Sequence, residues 1–177
     1  MDLTADQIIA MLQLQRHPTC GYVAQTYHSP VMVPGASLPE AFAGARSLGS
    51  VLYFLVTTDA HIVMHKIRSD QMYHFYLGDP LEVLLLYPNG TGEVRVAGSD
   101  LAAGMRPQLF IPGDTFHMSR LRPRLGYALL GTSEWVGVEP GDVETGDPDR
   151  LAAAYPALRD TIREFMGRPA TAEAAAP

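Results

Sequence analysis

The sequence is poor in cysteine, poor in positive charge and free of long apolar runs, and each scarcity removes a class of function. It has one cysteine, Cys20. No disulfide can form within the chain, and no cysteine-based zinc motif exists. A lone thiol reads either as a nucleophile or as a small, partly buried apolar side chain. Lys and Arg number 13 against 19 Asp and Glu, a formal charge of −6. No basic cluster appears, so the cationic face that a nucleic-acid binder needs is missing. Residues 81–87 form one of the longest apolar stretches, and Glu82 lies inside it. That is far short of membrane-spanning length. The N-terminus lacks the basic region and apolar run of a signal peptide, so a cytoplasmic location is expected. The G-x-S-x-G elbow, the Walker loop and the dinucleotide glycine fingerprint are also missing.

What remains is a chain of 177 residues that is 47 % hydrophobic and 18 % charged, with 16 Gly and 14 Pro. That composition suits one compact domain with many turns and no long helix. Residues 1–167 read as a single domain. Residues 168–177, Ala-rich with prolines, read as a flexible tail.

Thr4 and Gln7 make a T-x-x-Q capping box that opens a short helix through about Leu14. His17-Pro18 ends it. Residues 22–27 are aromatic and β-branched and read as a strand. Residues 29–47, with three prolines, read as a long loop of the kind that often serves as a lid. Strand-like segments follow at 50–58, 61–67, 72–77, 81–87, 93–96, 108–111, 115–121, 127–131 and 135–138. Turn residues separate them, including Gly78-Asp79-Pro80, Asn89-Gly90, Pro112-Gly113-Asp114 and Arg122-Pro123. Eight or nine short strands with no helix between them indicate an antiparallel sandwich or barrel. Residues 147–166 turn helical again, with Pro156 splitting the helix in two.

Six histidines are present. His65, His74 and His117 lie in the strand region, and Gln71 sits between the first two. Imidazole suits zinc, iron or nickel, and a carboxamide oxygen can complete a neutral donor set. Facing strands could bring His65 and Gln71 toward His117, leaving open metal positions. The same three groups also read as hydrogen-bonding pocket residues without a metal. Strict alternation that turns Gln71 inward turns Tyr73 inward as well and His74 outward, unless a bulge intervenes.

Two motifs carry a resemblance. Residues 65–81 read H-x-x-x-S-D-Q-x-Y-H-F-Y-x-G-D-P-L, and residues 112–117 read P-x-D-x-x-H. Together with the H-P-x-x-G-Y-x-x-x-T-Y stretch from His17 to Tyr27, they resemble a group of short single-domain cupins. Gln71 stands at the acid position of that pattern, Tyr73 at a tryptophan and Asp114 in the glycine slot. The usual first motif has a second nearby histidine, and Val63 or Ile67 stands where it would fall. The resemblance implies an all-β RmlC-like jelly-roll barrel with short N- and C-terminal helices. It implies a divalent metal, zinc before iron or nickel, on His65, Gln71 and His117. It also implies a homodimer.

The group includes an epimerase of a bacterial alkaloid pathway, which makes an isomerase or epimerase acting on a small aromatic keto acid the leading functional expectation. In that reading His74 and Tyr73 are the candidate proton-transfer groups. Tyr22, Tyr27 and Phe116 would line an aromatic pocket, and Arg46 would pair with the substrate carboxylate. A metal-dependent oxygenase and a non-catalytic binder of a small aromatic molecule are the alternatives. Neither a nucleic acid nor a membrane is expected as partner.

Overall fold

The computed structural model describes residues 3–42, 44–122 and 126–167. The 168–177 tail and Pro123 of the Arg122-Pro123 turn lie outside the described residues. Two antiparallel sheets are stacked face to face in a jelly roll. The larger has the order β1 (Gln15–His17), β2 (Gly21–His28), β5 (Ser50–Thr57), β12 (Tyr127–Trp135), β7 (Asp70–Gly78) and β10 (Gln108–Ile111). The smaller has the order β13 (Val143–Thr145), β6 (His65–Ile67), β11 (Phe116–Leu121), β8 (Leu81–Leu86) and β9 (Gly92–Ala97). A short ribbon, β3 (Met32–Val33) with β4 (Arg46–Ser47), occupies the segment expected to be a bare loop.

Period-two alternation explains the core. The inward side chains Phe54, Val56, Tyr73, Leu109 and Leu130 of the larger sheet meet Leu81, Val83, Leu85 and Leu121 of the smaller. Two further clusters cover the outer faces. Helix α1 (Ala5–Leu12) and the residues after it seat Ile8 and Leu14 on Leu55 and Leu129. Helices α2 (Pro148–Ala154) and α3 (Arg159–Phe165) seat Leu151, Ile162 and Phe165 on Leu84, Leu86 and Met118.

Local signals explain most element boundaries. The Thr4–Gln7 capping box is formed in both directions. The helix it opens ends earlier than expected, because Gln13 takes a left-handed conformation with φ 55°. Pro156 separates α2 from α3 through a single 3-10 turn, as its ring demands. Gly78 closes β7 with φ +99°, and a Cβ there would run into the Tyr127 carbonyl. Asp114, in the slot where the motif has glycine, adopts φ 59°.

Two strand expectations need correction. The segment 61–67 becomes a ladder strand only at His65; before it, only Ile62 bridges, to Cys20. Residues 127–135 form one unbroken strand rather than two. Among the described residues, no helix is long and apolar enough to cross a membrane.

Candidate active site

One end of the sandwich opens into a cavity of about 390 Å³ between the two sheets. β6 and β11 place His65, which lines this cavity, directly opposite His117, which is fully buried beside it. The two rings lie 4.3 Å apart, centroid to centroid. Each ring is oriented by its own strand: His65 Nδ1 lies 2.8 Å from the Val63 carbonyl oxygen, and His117 Nδ1 lies 3.1 Å from that of Thr115. A carbonyl only accepts, so Nδ1 carries the proton and Nε2 keeps its lone pair. Gln71 on β7 brings its carboxamide nitrogen to 3.5 Å from His117 Nε2. His65, Gln71 and His117 thus come from three strands to one cluster, with His65 and Gln71 lining the cavity and His117 buried between them and the core.

Burial sets the charge state. His117 is fully buried, and desolvation together with the neighbouring His65 holds its pKa well below the ordinary value. His65 is lowered for the same first reason, burial. Both imidazoles are thus neutral, as ligation requires. Among the described residues, no three His, Cys, Asp or Glu side chains gather closely enough to hold a metal by themselves. The donor set that does gather is two imidazoles and an amide. Its donor chemistry fits a divalent metal: a carbonyl fixes each ring through Nδ1, and each Nε2 keeps a lone pair, which the Gln71 carboxamide nitrogen meets at His117 and the Cys20 thiol approaches at His65.

The larger sheet supplies the cavity's polar wall. Tyr73 lies two residues beyond Gln71 on β7, with its ring 6.0 Å from His117. Burial raises its pKa, so it is a phenol and a donor. On β12, Glu134 sits opposite Gln71, and Thr132 sits opposite Tyr73. Ser50 Oγ donates to Glu134 Oε2 at 2.5 Å. Burial raises the Glu134 pKa, and the Ser50 hydrogen bond only partly offsets it. The Thr132 hydroxyl is buried with no hydrogen-bond partner among the described residues. Cys20 also lines the cavity, with Sγ 4.0 Å from His65 Nε2. Burial pushes its thiol up to about 11, which makes it a poor nucleophile.

Sequence reasoning missed Glu134 and Thr132. The signal was the inward alternation of Ala128 and Leu130, which runs on through Thr132 and Glu134 once the strand is not cut at Gly131.

Five expected site residues lie elsewhere. His74 faces the outer side of the larger sheet, where its Nε2 is 3.1 Å from Ser133 Oγ and its Nδ1 is 3.2 Å from Gln108 Nε2. The bulge on β7 falls at Tyr76, beyond His74, so alternation holds through Tyr73 and His74. Tyr22 points out beneath α1, because Val23 and Gln25 are the inward residues of β2. Tyr27, past a bulge, pairs with outward Val51 and is 53 % exposed. Phe116 packs under the C-terminal helices, since its neighbour His117 takes the inward position. Arg46 is buried and gives two hydrogen bonds of 2.9 Å to Asp142. None of the described residues in the 29–47 segment lines the cavity.

Residues 6–145 match the family described as Cupin superfamily (DUF985). The chain belongs to that family. A Shewanella oneidensis protein of known structure is 29 % identical to this cupin, with a TM-score of 0.79, over 95 % of this chain and 99 % of that one. A hypothetical protein from Leishmania major is 23 % identical with a TM-score of 0.80, over 92 % and 98 % of the two chains, and shows the shared fold. The same holds for oxalate decarboxylase of Bacillus subtilis, at 12 % identity and a TM-score of 0.50 over 87 % of this cupin and 37 % of the enzyme. An uncharacterised protein of Saccharomyces cerevisiae is 26 % identical over 122 residues. That match spans 66 % of this cupin and 61 % of the yeast protein.

Proposed function

We propose that this cupin is a metal-dependent isomerase or epimerase acting on a small carbonyl compound with an apolar end. The observation that carries the reading is the pair of neighbouring, neutral, carbonyl-oriented imidazoles beside the cavity, of which His65 lines it. His65 and His117 would hold the metal through Nε2, and Gln71 would complete the set through its carboxamide oxygen. A bound divalent metal, zinc before iron or nickel, supplies a Lewis acid that polarises the substrate carbonyl.

The protein's own groups do the rest. The Tyr73 hydroxyl donates to the carbonyl oxygen as negative charge develops there. Glu134, anchored at Oε2 by Ser50, takes the proton beside the carbonyl on Oε1 and returns it to the adjacent carbon on the same face, or leaves the opposite face to be protonated from solvent. Val23, Leu52, Phe54 and Ile62 line the cavity and would hold the apolar end of the substrate.

The test is metal analysis of protein purified without chelators, followed by incubation of candidate ketones in heavy water. Stoichiometric metal and deuterium uptake at the carbon beside the carbonyl are expected, without oxygen consumption. Metal-loaded protein that catalyses no exchange refutes the isomerase reading, and oxygen uptake replaces it with an oxygenase.

We also propose that two copies pair through the apolar strip of Tyr27, Val31, Met32, Leu48 and Trp135, each at least half exposed. The Leu48 backbone bonds to Val31, and Tyr27, Leu48 and Trp135 line one shallow depression, so the strip is continuous.

A further inference from the structure

We propose that the cavity selects an uncharged ligand, one whose oxygens are hydroxyl or carbonyl rather than carboxylate. The inference deepens the functional reading above; it rests on the cavity being the ligand site and not on the metal.

Among the described residues, no Lys or Arg lines the cavity. The cations nearby in sequence are committed elsewhere. Arg46 is held by Asp142, and Arg68 lies 3.7 Å from the same carboxylate. Lys66 pairs with Glu144 at 3.2 Å and Asp114 at 3.8 Å. The acids, by contrast, do reach the cavity: Glu134 at the buried polar wall and Glu139 at an exposed position. A carboxylate entering here would lose its water without gaining a cation and would approach a carboxyl group.

The polar groups that are present ask for neutral oxygen. The Thr132 hydroxyl is 4 % exposed and unpaired, and Tyr73 stands across the ladder from it. A buried hydroxyl without a partner costs free energy that a ligand oxygen would recover. The hydroxyl and amide groups of β7 and β12 thus lie beside the apolar side chains Val23, Leu52 and Phe54 of β2 and β5 in the same sheet. The complementary ligand has an apolar body and an oxygenated, uncharged end.

The probes are 1-hydroxy-3-phenylpropan-2-one and phenylpyruvate, which share a skeleton and differ in a hydroxymethyl or a carboxylate group. Binding is measured by titration calorimetry on the full chain after chelator treatment, so that direct chelation of a metal by the keto acid does not contribute. The hydroxyketone is expected to bind at least tenfold more tightly. Thr132→Val should weaken the hydroxyketone about fivefold and leave phenylpyruvate unaffected. Gln25→Arg, at an exposed position that lines the cavity, should strengthen phenylpyruvate at least tenfold and leave the hydroxyketone within twofold. Equal affinities in the native chain, a preference for phenylpyruvate, or no gain in Gln25→Arg each overturn the charge selection while leaving the cavity as the ligand site. Failure of both probes to bind at millimolar concentration overturns the cavity reading and this inference with it.

Discussion

Arg46 offers the clearest separation of a structural from a substrate-binding role. Its side chain is 7 % exposed and that of Asp142 is 1 % exposed, and two 2.9 Å hydrogen bonds join them. The contact ties the β3–β4 ribbon to the turn before β13, residues 96 apart in sequence. Replacing Arg46 with Met leaves the Asp142 carboxylate buried, with the Glu139 backbone N–H at 3.0 Å and Arg68 at 3.7 Å to answer it among the described residues. Removing one partner of a buried pair costs about 3–5 kcal/mol. That is a large share of a total stability of about 5–15 kcal/mol. For a chain of this size it corresponds to a fall in Tm of roughly 6–20 °C. The double variant Arg46→Met/Asp142→Leu should recover most of the loss, because no unpaired charge remains.

The pair also sets an acid limb. Arg46 holds the Asp142 carboxyl below the usual carboxylate range. Its contribution is therefore complete above the unfolded value of about 4 and is lost as pH falls through the lower folded value. Asp142→Asn should flatten that limb. Thermal and urea unfolding followed by circular dichroism read both effects. An Arg46→Met variant within about 1 kcal/mol of the native chain, but with weakened ligand binding, would show that the guanidinium serves the ligand and not the fold.

Three other outcomes are expected. In metal-free protein, buried neutral His117 resists protonation that the unfolded chain accepts, so stability should fall as pH drops below about 6.5; unfolding of His117→Asn across that range should show a shallower slope, and an unchanged slope counts against a neutral His117. Asp114→Gly should stabilise by about 1 kcal/mol, because the left-handed backbone penalises the Cβ that Asp carries, whereas Asp114→Ala, which keeps a Cβ, should bring no gain; equal effects of the two in urea melts would remove backbone strain as the explanation. Trp135→Glu should convert a dimer to monomer in sedimentation velocity; a native chain that sediments as monomer refutes the pairing proposed for the apolar strip.

The legible parts of this protein are those whose physics is local. The T-x-x-Q box, the proline break at 156, the alternating strands and the glycine at 78 each act within a few residues, and each appears in the structure where its chemistry put it. The meeting of His65, Gln71 and His117 was also legible, because motif spacing on paired strands carries long-range information once the fold is recognised.

Side-chain direction was harder to read. His74, Tyr22 and Phe116 have the right chemistry for a pocket, yet a one-residue step on a strand reverses the face, and neighbours with equal credentials (Tyr73, Val23 and His117) hold the inward positions. Glu134 was hidden for a related reason. Its strand continues through Gly131 and Ser133, residues with little intrinsic strand preference, and pairing with β5 and β7 on both sides holds it extended.

Sequence alone therefore determined the class of fold, the capping box and proline break, and the three groups that cluster beside the cavity. Only the tertiary structure decided which charges are spent on each other. Arg46 and Asp142 are 96 residues apart, and no local pattern announces a pair that exists because two distant turns fold over one another. That pairing withdraws from the cavity the cation that a carboxylate ligand would need.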